Sequence, residues 1–108
     1  MDTKIYVGKT ENGFEEPIID KLLSSNYKII YKESEADYSI KCSVANAGLG
    51  RAKGSVSLID NKTGELLGKT IEVKGQTTLF NGYANPKMIS MKKIANKYLI
   101  ELLQKHLK

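Results

Sequence analysis

Tyr38-Ser39-Ile40-Lys41-Cys42-Ser43-Val44 is the stretch that decides the fold. Apolar side chains at 38, 40, 42 and 44 alternate with Ser39, Lys41 and Ser43, the period of two that turns one face of a strand to a core and the other to water. Such a strand belongs to a sheet covered on one side and wet on the other. The same alternation places Cys42 in the core.

Upstream, Ile5-Tyr6-Val7 is a short β-type run closed by Gly8. From Phe14, apolar residues at Ile18, Ile19, Leu22 and Leu23 follow the helical rhythm and predict a helix to about Ser25. Pro17 fits its first turn, and Glu15 and Glu16 suit the positive end of the helix dipole. Tyr27 to Lys32 alternates like a strand and is broken by Glu33-Ser34-Glu35-Ala36.

Downstream, Ala45 to Gly50 is a loop of small residues. Ala52 to Asp60 reads as a strand with Gly54, Val56 and Leu58 facing inward. Asp60-Asn61-Lys62-Thr63-Gly64 is turn chemistry, and Leu66 to Val73 is expected to return as the partner strand, making a hairpin of 52–73. Gly75 to Ala84 reads as a polar loop holding Leu79, Phe80 and Tyr83. Asn85-Pro86 is a helix start, an N-cap followed by proline at the first position. Met88, Met91, Ile94, Ala95, Tyr98, Leu99, Leu102 and Leu103 then form one long apolar stripe, with Lys87, Lys92, Lys93 and Lys97 on the remaining face. The order β-α-β-β-β-β-α predicts an α+β fold of two layers, a mixed sheet with two helices on one face. The first helix should cross between parallel strands, and the later strands should pair antiparallel. Residues 1–108 are expected to form a single domain.

The 108 residues carry 41% hydrophobic and 27% charged side chains, with one cysteine and one histidine. A lone cysteine excludes an intrachain disulfide framework and a multi-cysteine metal site. No run approaches the roughly 18 apolar residues of a membrane helix. The net charge is +5, and residues 85–108 alone, with six lysines and one glutamate, account for it. A basic face attracts nucleic acid, anionic lipid or an acidic protein. Arg51 is the only arginine, however, and lysine lacks the bidentate fork that specific phosphate or base reading favours.

Motifs with chemical meaning are few. Gly8-Lys9-Thr10 and Gly68-Lys69-Thr70 resemble the end of a phosphate loop, but the required upstream glycine is Thr3 in one and Thr63 in the other. Gly48-Leu49-Gly50-Arg51-Ala52-Lys53-Gly54 precedes a strand, where a dinucleotide site needs glycines between strand and helix. Arg51 and Lys53 beside open backbone are a minor anion-binding candidate. His106 lies at the C-terminal end with no acid or cysteine near it in sequence. Glu33, Glu35 and Asp37 read as a solvated turn, and Asn61-Lys62-Thr63 is a sequon on a turn. No catalytic residue, metal ligand or cofactor is expected. A long loop in so small a domain carries either packing or function, which makes Phe80 and Tyr83, with Lys87, Lys92, Lys93 and Lys97, the candidate partner-binding residues.

Leu22-Leu23 with Asn26-Tyr27-Lys28-Ile29-Ile30, then Glu35-Ala36-Asp37-Tyr38-Ser39-Ile40, resembles small accessory domains of bacterial envelope lipoproteins. These are the curli-secretion, penicillin-binding-protein-activator and TolB amino-terminal types. Val56-Ser57-Leu58-Ile59-Asp60 with Thr63-Gly64 in the turn is similar as well. The likeness covers about residues 14–73 and rests on fold-forming residues, so it transfers no site residue. It implies a non-catalytic binding or assembly role at the cell envelope, with a protein partner. It departs from the type in showing no signal or lipid-attachment cysteine ahead of Met1. A periplasmic or envelope location therefore requires a removed leader, and a native start at Met1 implies the cytoplasm. The alternative function is a cytoplasmic nucleic-acid-binding domain using the lysine-rich C-terminal helix.

Overall fold

The computed structural model describes residues 3–80, 82 and 84–107. The fold is α+β, a mixed six-stranded sheet with three helices. In chain order the elements are β1 (Lys4–Val7), α1 (Glu16–Ser24), β2 (Lys28–Ile29), β3 (Tyr38–Asn46), β4 (Arg51–Asp60), β5 (Leu66–Lys69), β6 (Val73–Gln76), α2 (Pro86–Lys97) and α3 (Leu99–His106), with one 3₁₀ turn at Glu33–Glu35. The strand order is β2-β1-β3-β4, and β5 and β6 both line the outer edge of β4.

As the spacing predicts, α1 joins parallel neighbours: β1 pairs parallel with both β2 and β3, while β3, β4 and β5 run antiparallel. Helix α1 carries its proline in the first turn and ends where Asn26 takes a left-handed φ of 66°. That residue lets the Tyr27 N–H close on the Leu22 carbonyl at 3.0 Å, an asparagine version of the glycine helix stop. Strand β2 is shorter than the alternation of Tyr27 to Lys32 predicts, being confined to Lys28–Ile29.

Two expectations are corrected. Leu66 to Val73 is not one strand, because the chain leaves the edge of β4 between Lys69 and Val73 and then returns to it. At the break the Val56 N–H donates to the Thr70 hydroxyl at 2.9 Å, while the Thr70 N–H donates to the Val56 carbonyl at 2.9 Å. A side chain thus replaces a backbone carbonyl in the ladder and releases the chain outward at Ile71 and Glu72. The second half of the edge, β6, takes in Gly75 and Gln76, which read as loop. The long C-terminal helix is also two helices, broken at Tyr98, whose φ of −121° is not helical. The break lets α2 lie on β4 and β6 while α3 turns onto β5 and β4.

All three helices share one core with the sheet. Ile5, Ile18, Leu22, Ile40, Leu58, Met91, Ile94, Leu99 and Leu103 are fully buried within it, each contributing about 1.5–3 kcal/mol of transfer free energy. Cys42 and Val44 pack at its edge, half-buried. Asn85 caps α2 as predicted, its Oδ1 accepting the Lys87 N–H at 2.9 Å. The seat of α2 is made by small residues. A Cβ on Gly75 would overlap the Pro86 carbonyl oxygen and lie 2.7 Å from the Ser90 nitrogen. Ser90, fully buried, donates to the Val73 carbonyl at 2.7 Å.

Candidate functional site

The face of the sheet away from the helices carries exposed lysines around buried Ser39 and Ser55 and half-buried Tyr6 and Ile59, and its charge is one-sided. With Ile5, Ile40, Val56 and Leu58 turned inward, alternation sends their neighbours outward. Pairing aligns Lys4 with Lys28, Lys41 with Ser57 and Lys69, Ser43 with Ser55, Lys53 with Lys74, and Arg51 with Gln76. Lys4, Lys28, Lys41, Arg51, Lys53, Lys69 and Lys74 are all exposed. The only acid within the six strands is Asp60, at the last position of β4. Single-sign charge on a flat face sums to a field that attracts anions and repels like-charged surfaces. Arg51 and Lys53 of β4 and Lys74 of β6 line one cleft of about 360 Å³, together with Gln76, Ala47, Ala52 and Gly75.

At one end of this face the β3–β4 hairpin tip meets the loop that follows β6. The Thr77 N–H donates to the Gly50 carbonyl at 2.8 Å, and the Thr77 hydroxyl donates to the Ala84 carbonyl at 2.8 Å. Beside these bonds stand Leu49, fully exposed, Phe80, 99% exposed, and Leu79, 71% exposed. They include the two most exposed large apolar side chains among the described residues.

The opposite end mixes Glu33, Glu35 and Asp37 with Lys4 and Lys62, and it is tied. Asn61 accepts from the Ser39 hydroxyl at 2.8 Å, and its amide donates to the Ala36 carbonyl at 3.1 Å. Its backbone N–H donates to the Asp37 carbonyl at 3.1 Å, and Glu33 Oε2 lies 3.3 Å from the same Ser39 hydroxyl.

Glu15 is nearly buried at the start of α1. Its Oε1 accepts from the Thr10 N–H and hydroxyl, both at 2.9 Å, and the Thr10 hydroxyl in turn accepts from the Phe14 N–H at 2.7 Å. Burial opposes ionisation, but the Thr10 bonds, its own backbone N–H and Lys9 outweigh it and hold the carboxyl below its ordinary value. Burial pushes the Cys42 thiol up to about 12, with the Glu15 charge adding to the shift. A thiol that stays protonated at neutral pH packs rather than attacks. Among the described residues no group of three or more His, Cys, Asp or Glu side chains is placed to hold a metal ion.

The residues singled out in the sequence fall in different places. Phe80 stands at the apolar end, while Tyr83 lies outside the described residues. Lys87 sits 5.7 Å from the centre of the Phe14 ring, and Lys93 Nζ donates to the Lys74 carbonyl at 3.2 Å. Lys92 faces the other way, lining an open groove between α1 and α2 with Asp20, Lys21 and Met88. Lys87, Lys92 and Lys93 therefore point to three different surroundings, and Lys97 is exposed in the last turn of α2. Arg51 and Lys53 do come together with a third cation, Lys74. Sequence reading missed Leu49 and five strand lysines, at 4, 28, 41, 69 and 74. The serine–lysine alternation of β3 was the available signal, but only the register of the other strands shows that their lysines share its face.

No protein-family model matches the chain, and no curated protein matches it significantly. Solved structures do. A protein from Caulobacter crescentus CB15 described as a lipoprotein is 16% identical, with a TM-score of 0.60 over 94% of this chain and 89% of that one. A minor lipoprotein from Acinetobacter baumannii is 11% identical, with a TM-score of 0.55 over 95% of this chain and 94% of that one. At these identities the likeness is one of fold, and it runs through nearly the whole length of each partner. Among the described residues no helix is long and apolar enough to cross a membrane.

Proposed function

We propose that this chain is a non-catalytic binding or assembly module of the bacterial cell envelope. The observation that carries the reading is the fold shared, over 94% and 95% of the chain, with two bacterial proteins described as lipoproteins. The recognition surface is the middle of the lysine-bearing sheet face, where Lys41 and Lys69 flank Ser57 beside Ser43 and Ser55. Short serines between long lysines leave the ammonium groups free to meet carboxylates, so the partner is a protein with an acidic surface. Charge of this kind governs encounter rate and partner choice more than final affinity.

The deciding experiment is the intact mass and cell fraction of the product expressed from its native gene. A processed or lipidated product in the envelope fraction is the expected result. An unprocessed product starting at Met1 in the cytosolic fraction overturns the reading.

A further inference from the structure

The exposed apolar end is separate from the middle of the lysine face, and its composition points to a different occupant. We infer that the end formed by Leu49, Leu79 and Phe80 docks into the interfacial zone of an anionic lipid bilayer, with Arg51, Lys53 and Lys74 at headgroup level. The inference rests on the envelope reading and adds a membrane contact made by the protein itself.

Three observations carry it. The first is exposure: Leu49 and Phe80 give essentially their whole side chains to water, and Leu79 gives 71%. Their placement is fixed by the tertiary fold, because the Thr77–Gly50 bond holds two sequence-distant turns side by side, and the Gly82 N–H closes the second turn on the Leu79 carbonyl at 3.3 Å.

The second is charge order. Arg51 and Lys53 at the start of β4 and Lys74, paired with Lys53 across from β6, stand together behind the apolar prongs, and none of the described residues lining their cleft is acidic. At the other end of the sheet Glu33, Glu35, Asp37 and Asp60 are interleaved with Lys4 and Lys62. An anionic plane attracts the first end more strongly than the second, where charges of both signs offset one another, so it both binds and orients the molecule.

The third is the form of the surface. Leu49 stands on the short turn between β3 and β4, and Leu79 and Phe80 on the segment after β6, as separate exposed prongs rather than as one fitted patch. A protein interface needs a closely fitted core patch, whereas a bilayer boundary takes up isolated leucine and phenylalanine side chains and reads lysine as a point charge.

The test is flotation of the full chain with vesicles of phosphatidylglycerol mixed into phosphatidylcholine, against phosphatidylcholine alone, at low and high salt. Binding to the mixed vesicles only, weakened by salt, is expected. L49S/L79S/F80S should lower the partition coefficient by roughly a hundredfold, and R51Q/K53Q/K74Q by about fivefold per cation. Melting temperature and sedimentation velocity on the same variants check that the fold and the oligomeric state are unchanged.

The inference is overturned if the wild type ignores the mixed vesicles, or if the serine variant binds them as the wild type does. It is equally overturned if a soluble polyanion such as duplex DNA is bound as strongly as the vesicles, or if the serine variant dissolves a dimer that the wild type forms. A chain found in the envelope fraction that ignores both vesicle types loses this inference and keeps the envelope reading. A cytosolic chain loses the envelope reading first.

Discussion

Where β3 begins and β4 finishes, Asn61 gathers the Ser39 hydroxyl, the Ala36 carbonyl and the Asp37 carbonyl into one knot. Where β3 finishes and β4 begins, the chain presents Leu49, Leu79 and Phe80 to water. The first end spends its polar groups on one another and holds the fold. The second leaves apolar surface unpaired, which costs free energy in water and gains nothing for the fold. A sheet that closes one end with internal hydrogen bonds and leaves the other apolar and basic has divided stability from binding along its strands.

The division has a boundary, and Gly75 marks it. Behind the exposed loop, the β6 backbone comes so close to α2 that a methyl group has no room. Gly75→Ala must move either β6 or the helix, since the atoms it meets are backbone. We expect a loss of about 3 kcal/mol or more, on the order of 10 °C or more in melting temperature. A small loss in thermal denaturation would mean that α2 is not seated on β6 as described, and that the boundary between the two ends lies elsewhere.

The tied end should show the next largest effect. Asn61→Ala removes three side-chain bonds at once, leaving the buried Ser39 hydroxyl only Glu33 and taking the donor from the Ala36 and Glu33 carbonyls. A cost of about 1–3 kcal/mol follows from unsatisfied polar groups, measurable by urea denaturation. If Asn61→Ala is neutral, the knot is decoration and the contrast between the ends fails.

How much of this was legible beforehand differs between the ends. Asp60 to Gly64 declared a turn through its residue types, and Gly64 does adopt a φ of 74°. The Tyr38–Val44 alternation and the Asn85-Pro86 cap were equally plain, because a strand period and an N-cap are local physics. The break at Thr70 was not, since it depends on a hydroxyl meeting one particular N–H across the ladder. Nor was the break at Tyr98, which has no proline or glycine to announce it and serves to bring α3 onto β5, with His106 against Gly68. Leu79 and Phe80 drew notice in the sequence, but Leu49 lies thirty residues earlier. Only the pairing of β4 with β6 makes them neighbours. Surfaces assembled by register are the part of a fold that a single sequence hides best.

Between the ends, Glu15 and Cys42 predict a smaller, pH-dependent effect. The folded carboxyl titrates below its ordinary value, so its contribution is present above the unfolded value near 4.5 and is lost as pH falls through the folded one. Glu15→Gln should flatten the acid side of the stability–pH profile below that point. Cys42 works in the opposite direction. Its folded value is raised from 9.0 to about 12, so the stability it lends is full below the unfolded value and declines as pH rises towards the folded one. Reaction of the native thiol with a disulfide reagent at neutral pH should be at least about a hundredfold slower than after unfolding. Equal rates would place Cys42 in solvent and detach this edge of the core from both ends.

The sharpest use of the comparison expects almost no change. Leu49, Leu79 and Phe80 touch little, so replacing all three by serine should shift stability by no more than about 0.5 kcal/mol in either direction, as for other surface sites. The same exchange at Leu58, in the core beside the tied end, removes a fully buried side chain and introduces an unpaired hydroxyl, at a cost of about 3 kcal/mol or more. Denaturant midpoints of the two variants, measured side by side, give the contrast directly. If the triple variant melted early, the exposed end would be part of the core's support and its apolar character would need no partner. If it keeps its midpoint while vesicle binding collapses, those three side chains serve binding alone, because nothing inside the molecule uses them.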